Sequence, residues 1–332
     1  MPRRFLFPSL LFATLLLTAC QPASPAPART QASPTPQPIP SETSSPTPAP
    51  LPVTPETASV TPVPTEIPLP QATNGPSPTA APSATSLPSG LGLDPADWKD
   101  WPVLPVVPGR ALQIYQLGQS LGNDPHAFSI FGDCQSEPDV FMGVYETDPV
   151  TAAALPADLA ETVSWFAGSF DRLSPTVRGG TTAGALLWTL WHQNKFACAS
   201  TETPLQCELR IHKPSFVIVH VGTHYENRNE VYMRMILDQL IAAGVVPILA
   251  SKADDRELDD HINAQYAQLA AEYDIPFWNF WAAVKDLPNR GLYTRADAKY
   301  QGDLYLNDQA AAIHRMTALQ ALDVVRRAVG DK

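Results

Sequence analysis

Short, uninterrupted apolar runs alternate with stretches of helical spacing along the C-terminal two thirds of the chain. Runs 127–132, 215–222, 245–250 and 275–281 are apolar at nearly every position. Such runs read as strands covered on both faces, as in a parallel sheet. Segments 157–167, 182–191, 229–243, 254–273 and 310–329 have helical spacing instead. In 229–243 the apolar positions are Val231, Met235, Leu237, Leu240 and Ile241, and Gly244 follows as a C-terminal cap. Strands alternating with helices predict a doubly wound parallel sheet between helical layers. No internal repeat interrupts the order.

The first ninety residues follow a different pattern. Residues 1–20 carry Arg3 and Arg4, then an apolar stretch too short for a membrane span, then Leu17-Thr18-Ala19-Cys20. That is the pattern of a bacterial lipoprotein leader, with Cys20 as the lipid-bearing residue, and two acyl chains would hold the mature chain stably on a membrane face. Residues 21–91 are Pro, Ser, Thr and Ala with few aromatic or charged positions. They cannot bury enough apolar surface to offset their ordering entropy. Extended as polyproline II, they would reach on the order of 200 Å. The expected organisation is therefore a leader (1–20), a disordered tether (21–91) and one α/β domain (92–332), exported and anchored at the cell envelope.

Charge and cysteines narrow the chemistry. The formal net charge is −11 without a basic patch, which argues against nucleic acid and against a polybasic lipid-binding surface. In an oxidising compartment cysteines pair. Cys198 and Cys207 bracket a short loop containing Thr and Pro and are the natural pair, which leaves Cys134 single: reactive, or buried and inert. No nucleotide loop, zinc signature or nicotinamide fingerprint occurs, so no cofactor or metal is expected. A monomer is expected.

Cys134 sits in Phe131-Gly132-Asp133-Cys134-Gln135-Ser136, directly after the first apolar run. Together with three later segments this resembles the SGNH (GDSL) hydrolase family over roughly residues 128–329. Gly132-Asp133-Cys134 matches the family's Gly-Asp-Ser block with Cys for Ser. Arg178-Gly179-Gly180-Thr181 matches its Gly-donor loop. Val221-Gly222-Thr223-His224 falls where Gly-Thr-Asn-Asp is expected, with His224 for Asn. Gly302-Asp303-Leu304-Tyr305-Leu306-Asn307 falls at the Asp-x-x-His block, with Tyr305 at the His position and Asp303 displaced by one. The resemblance implies a three-layer α/β/α fold with a flavodoxin-like, five-stranded parallel sheet. It also implies ester hydrolysis on lipids or sugars.

In the order 2-1-3-4-5 the first and third strands are neighbours, so Cys134 and His224 both end at one sheet edge, where open α/β folds bind ligands. The expectation is a Cys134–His224 dyad attacking an acyl carbon. Gly179 and the Cys134 amide would hold the oxyanion, and Asp303 or Tyr305 would line the pocket. The substrate would be an acylated glycan or lipid at the cell surface. The alternatives are a catalytically inactive module that binds an envelope glycan or another ligand, and an acyltransferase. His314 and Ser136 are secondary candidates as base and nucleophile. The acidic run Asp254, Asp255, Glu257, Asp259, Asp260 and His261 reads as the charged start of a helix. The spaced pairs Trp188/Trp191 and Trp278/Trp281 read as core packing.

Overall fold

The computed structural model describes residues 90–192, 195–294 and 304–330. The leader, Cys20, most of the tether and Asp303 lie outside the described residues. In chain order the elements are α1 (Gly109–Leu121), β1 (Asp124–Gly132), α2 (Val144–Thr147), α3 (Pro149–Ala153), α4 (Ala157–Trp165), α5 (Pro204–His212), β2 (Pro214–His220), α6 (Asn229–Ala242), β3 (Val246–Ala250), α7 (His261–Tyr273), β4 (Phe277–Trp278), α8 (Phe280–Val284) and α9 (Asp308–Gly330).

The sheet is wholly parallel, in the order β1-β2-β3-β4. Helices α1, α4 and α9 pack together on one side, and α6 packs with α7 on the other, so the domain is a helix–sheet–helix sandwich. Every residue of β2 and β3 is buried, which is why their sequences do not alternate. Phe216 of β2 shows the packing on the first face: its ring stacks on Tyr115 of α1 at 5.5 Å and meets Phe166 edge-on at 5.6 Å. Each such buried side chain stabilises the fold by about 1.5–3 kcal/mol relative to an exposed one.

Four strands replace the expected five among the described residues. Where the remaining strand should flank β1, one parallel bridge joins Gly132 to Val177. The Gly132 amide donates to Thr176 O at 3.0 Å and the Arg178 amide to Gly132 O at 3.3 Å. One residue pair earlier, a side chain does the pairing: the Thr176 hydroxyl donates to Ile130 O at 2.7 Å. The flavodoxin-like order therefore persists with its outer strand reduced to a single pairing.

Two helical expectations and one strand shrink for local reasons. Within 182–191 only a 3-10 turn, Ala185–Leu187, forms. There the Thr182 side chain donates to Glu226 and accepts from Ala185 N, so it competes with the helical backbone. Segment 254–260 is not helical: the Lys252 ammonium takes Asp254 O at 2.8 Å, and Leu258 and Asp260 adopt φ of +74° and +53°. The last strand stops at Trp278, because the Asn279 side chain caps α8 by accepting from Ala282 N.

Conversely, α1 and α5 are helices that the apolar pattern did not single out. Helix α5 begins in a capping box between Thr203 and Gln206. Cys207 lies on this helix rather than in a loop, and it is disulfide-bonded to Cys198 with Cα atoms 5.3 Å apart.

Candidate functional site

The chain turns at the C-terminal end of β1 because nothing larger than Gly fits at position 132. A Cβ there would lie 2.3 Å from Ser136 Cβ. The turn closes with Ser136 N donating to Asp133 O at 3.0 Å and Gln135 N donating to the Asp133 carboxylate at 3.0 Å. Asp133 is thereby buried, and burial pushes its carboxyl up to about 7. It points into a polar knot beneath the crest. There Thr223 donates to Asp254 Oδ2 at 2.8 Å, and the buried Lys252 ammonium reaches Asp254 Oδ1 at 3.0 Å and Glu257 Oε2 at 2.6 Å. Asp254 and Glu257 of the acidic run thus serve buried pairing, and the helix starts only at His261.

Cys134 is half-buried and is a free thiol. It opens on a cavity of about 270 Å³ that Tyr305, Tyr293, His314 and Arg315 also line. Burial, followed by the negative charge of Asp133, pushes the thiol up to about 12; a hydrogen bond with the Tyr305 phenol acts the other way. Tyr305 itself is pushed above its usual value, first by Cys134 and then by burial. Its backbone is fixed by Tyr293 N donating to Tyr305 O at 2.9 Å, and Gln135 holds the preceding residue by donating to Leu304 O. The Cys134–Tyr305 contact therefore joins the two blocks that the sequence singles out.

Gly179 also arrives beside Cys134: a Cβ on it would lie 3.7 Å from Cys134 Cβ. Its amide is already engaged, donating to Glu137 Oε1 at 2.6 Å. A carboxylate oxygen thus sits on the very donor expected to hold an oxyanion. Glu137 lies three residues beyond Cys134, and no motif singled it out.

His224 does not join this group. Burial and Arg256 hold it below the usual histidine value, with Asp254 opposing, and no hydrogen bond connects it to Cys134 among the described residues. The reason is the turn after β2. Gly222, at φ +129°, packs under Ile262, and the following Thr223 commits to Asp254. This places His224 with the Asp254–Arg256 side of the crest.

A second nucleophile–imidazole pair lies deeper. Ser136 Oγ is 3.0 Å from His220 Nδ1, and both side chains are buried. His220 is held down to about 4 by burial. Its ring lies 4.7 Å from that of His314 within a box made with Phe141, Trp278 and Phe280. Burial and His220 also hold His314 well below the usual value. Neither imidazole finds a partner for Nε2 among the described residues. His220 ends β2 on the inward-facing parity of Phe216 and Ile218, a signal that the strand run contained.

The fold and crest define an open parallel α/β domain with a half-buried thiol, a carboxylate and a phenol at the strand ends. No family model matches the chain, and no curated protein sequence matches it. Among solved structures it is similar to a GDSL-like lipase from Bacteroides thetaiotaomicron, at 16% identity and a TM-score of 0.39 over 64% of this chain and 97% of that one. It is also similar to a protein from Bacteroides fragilis described as an acylhydrolase, at 15% identity and a TM-score of 0.41 over 66% and 99% of the two chains.

Proposed function

We propose that this domain is a ligand-binding module of hydrolase-like architecture, whose Cys134 cleft holds an ester-bearing glycan without turning it over. The observation that carries this reading is the Glu137 carboxylate on the Gly179 amide, beside a thiol pushed up to about 12. Nucleophilic attack needs a thiolate and free oxyanion donors. Here the thiol is protonated at neutral pH and one donor is taken. The lipoprotein-like leader and Cys20 support display of the module at an envelope surface.

Hydrolysis of a short-chain nitrophenyl ester by the full chain tests this. Wild type and Cys134→Ala are expected to give the same background rate, while an O-acetylated oligosaccharide raises the melting temperature of both. A wild-type rate tenfold above that of Cys134→Ala overturns the reading in favour of turnover.

A second reading, a thiol hydrolase or acyltransferase, is favoured by one fact. Cys134 stays unpaired and opens on a cavity that also contains an imidazole with an unpartnered nitrogen, His314. In that chemistry the sulfur bonds to the acyl carbon and the alcohol leaves with the thiol proton. Water, or a sugar hydroxyl, then takes the acyl group and restores the thiol.

A further inference from the structure

Trp188 is unlike every other tryptophan in the domain. Trp101, Trp165, Trp191 and Trp278 donate their indole N–H to Asp94 O, Pro125 O, Thr181 Oγ1 and Thr317 Oγ1, and Trp98 and Trp281 pack edge to face at 5.1 Å. Trp188 is 54% exposed and has no ring contact or indole hydrogen bond among the described residues. The expectation that it packs in the core is corrected: the 3-10 turn that replaces a helix at 185–187 carries it to the surface.

It borders an open hollow of about 570 Å³ whose wall also includes Gly180, Trp191, Tyr232, Met235 and Glu226. The Arg178 guanidinium lies 3.9 Å from the Trp191 ring centroid and fixes that ring. Glu226 supplies the polar element. Its Oε1 accepts from Thr182 Oγ1 and Gly184 N, each at 2.8 Å, while Oε2, screened from solvent in the unliganded domain, has no hydrogen-bond partner among the described residues. A carboxylate oxygen left unpaired away from water is costly, so a donor brought by a ligand is favoured there. The hollow and the crest are neighbours across the glycine pair: Gly180 lines the hollow and Gly179 packs against Cys134.

We propose that this hollow is a pyranose-binding subsite, so that a sugar ring lies on Trp188 while a hydroxyl donates to Glu226. It rests on the ligand-binding reading of the cleft and names the ligand class. An occupant here must offer an apolar face to an indole and hydroxyl donors to a carboxylate, and a sugar ring offers both. An acyl chain would leave the carboxylate unpaired, and a polyanion would meet both Glu226 and a chain of net charge −11.

Co-sedimentation of the full chain with insoluble cellulose, chitin and peptidoglycan tests the subsite. Wild type is expected to be retained by at least one of the three. Trp188→Ala should weaken retention about tenfold and Trp188→Tyr should keep most of it. Glu226→Gln, which keeps shape but removes charge, should weaken retention a few-fold. Leu173→Ala, at an exposed position elsewhere, should bind as wild type does. Because Trp188 is exposed, its loss does not threaten folding. Retention by none of the three, or equal retention of Trp188→Ala and wild type, overturns the subsite. The cleft reading fails separately: Cys134-dependent ester hydrolysis would end it and leave the Trp188 dependence standing.

Discussion

Ser136 and Cys134 stand two residues apart on the same turn, yet their surroundings are opposite. Ser136 has an imidazole at 3.0 Å and no access to solvent; Cys134 has access and a cavity but no imidazole hydrogen-bonded to it. The requirements of a nucleophilic site are thus divided between two places, with His314 touching both: its ring faces His220 and its side chain lines the cavity at Cys134. Access and activation are separate requirements, and a sequence motif specifies neither alone.

The largest expected effect concerns the exposed half of the pair. With the thiol moved from 9.0 to about 12, the thiolate fraction near pH 8 falls about a thousandfold. Alkylation of Cys134 by iodoacetamide, followed by intact mass, should be slower than that of a model thiol by that order. Rapid alkylation would erase the contrast. Next comes the turn that creates the two environments. Gly132→Ala should destabilise the fold by about 3 kcal/mol in urea denaturation, because its methyl group meets a Ser136 fixed to His220.

The buried half should show itself in pH dependence. Unfolded histidines take up their proton near pH 6.5, whereas His220 and His212 do so at about 4 in the fold, and burial and His220 shift His314 in the same direction. Between those limits the unfolded chain holds more protons, so stability falls as pH drops from about 6.5 towards 4. Asp133 works the other way: its folded value of about 7 makes the folded state hold the extra proton, and that contribution is lost as pH rises through about 4 to 7. Three imidazoles against one carboxyl leave a net loss on acidification of roughly 1–3 kcal/mol per pH unit near pH 5. Urea melts at pH 5, 6 and 7 should show it, and His220→Asn should flatten the slope.

Smaller effects refine the contrast. Ser136→Ala leaves His220 Nδ1 unpaired and should cost about 1–2 kcal/mol, while Cys134→Ala should change thermal stability by less than about 0.5 kcal/mol. The smallest effect is that of Glu137→Gln, which removes a charge beside the thiol and should speed alkylation only a few-fold, since burial is the larger cause.

The sequence made the scaffold legible where burial alone decides structure. The β2 and β3 runs, Asn229–Ala242 and the last helix are specified by continuous or periodic apolar positions and formed close to their expected bounds. Elements governed by a single polar side chain were not legible. Thr182, Lys252 and Asn279 each redirect the backbone through one hydrogen bond to a residue distant in sequence or to a neighbouring turn, and periodicity carries no trace of that. At the site, the motifs located Cys134, Gly179 and Tyr305 at one place. They did not anticipate Glu137, because a carboxylate three residues past a turn has no distinctive spacing. They also put His224 beside the thiol on strand adjacency alone, without the Thr223–Asp254 bond that commits the loop elsewhere.

The lone pairing at Val177 carries a mechanical consequence. Two backbone hydrogen bonds, at Gly132 N and Gly132 O, clip this edge to the rest of the sheet where a full ladder would weld it along its length. Swinging the glycine pair outward, and with it the Trp188 turn, would break that clip, the Thr176 bond, the Gly179–Glu137 bond and the bonds of Thr182 and Gly184 to Glu226, while β1 to β4 stay joined. The wall of the groove beside the thiol is therefore held by a handful of separate polar bonds, whereas the sandwich beneath it is held by continuous ladders.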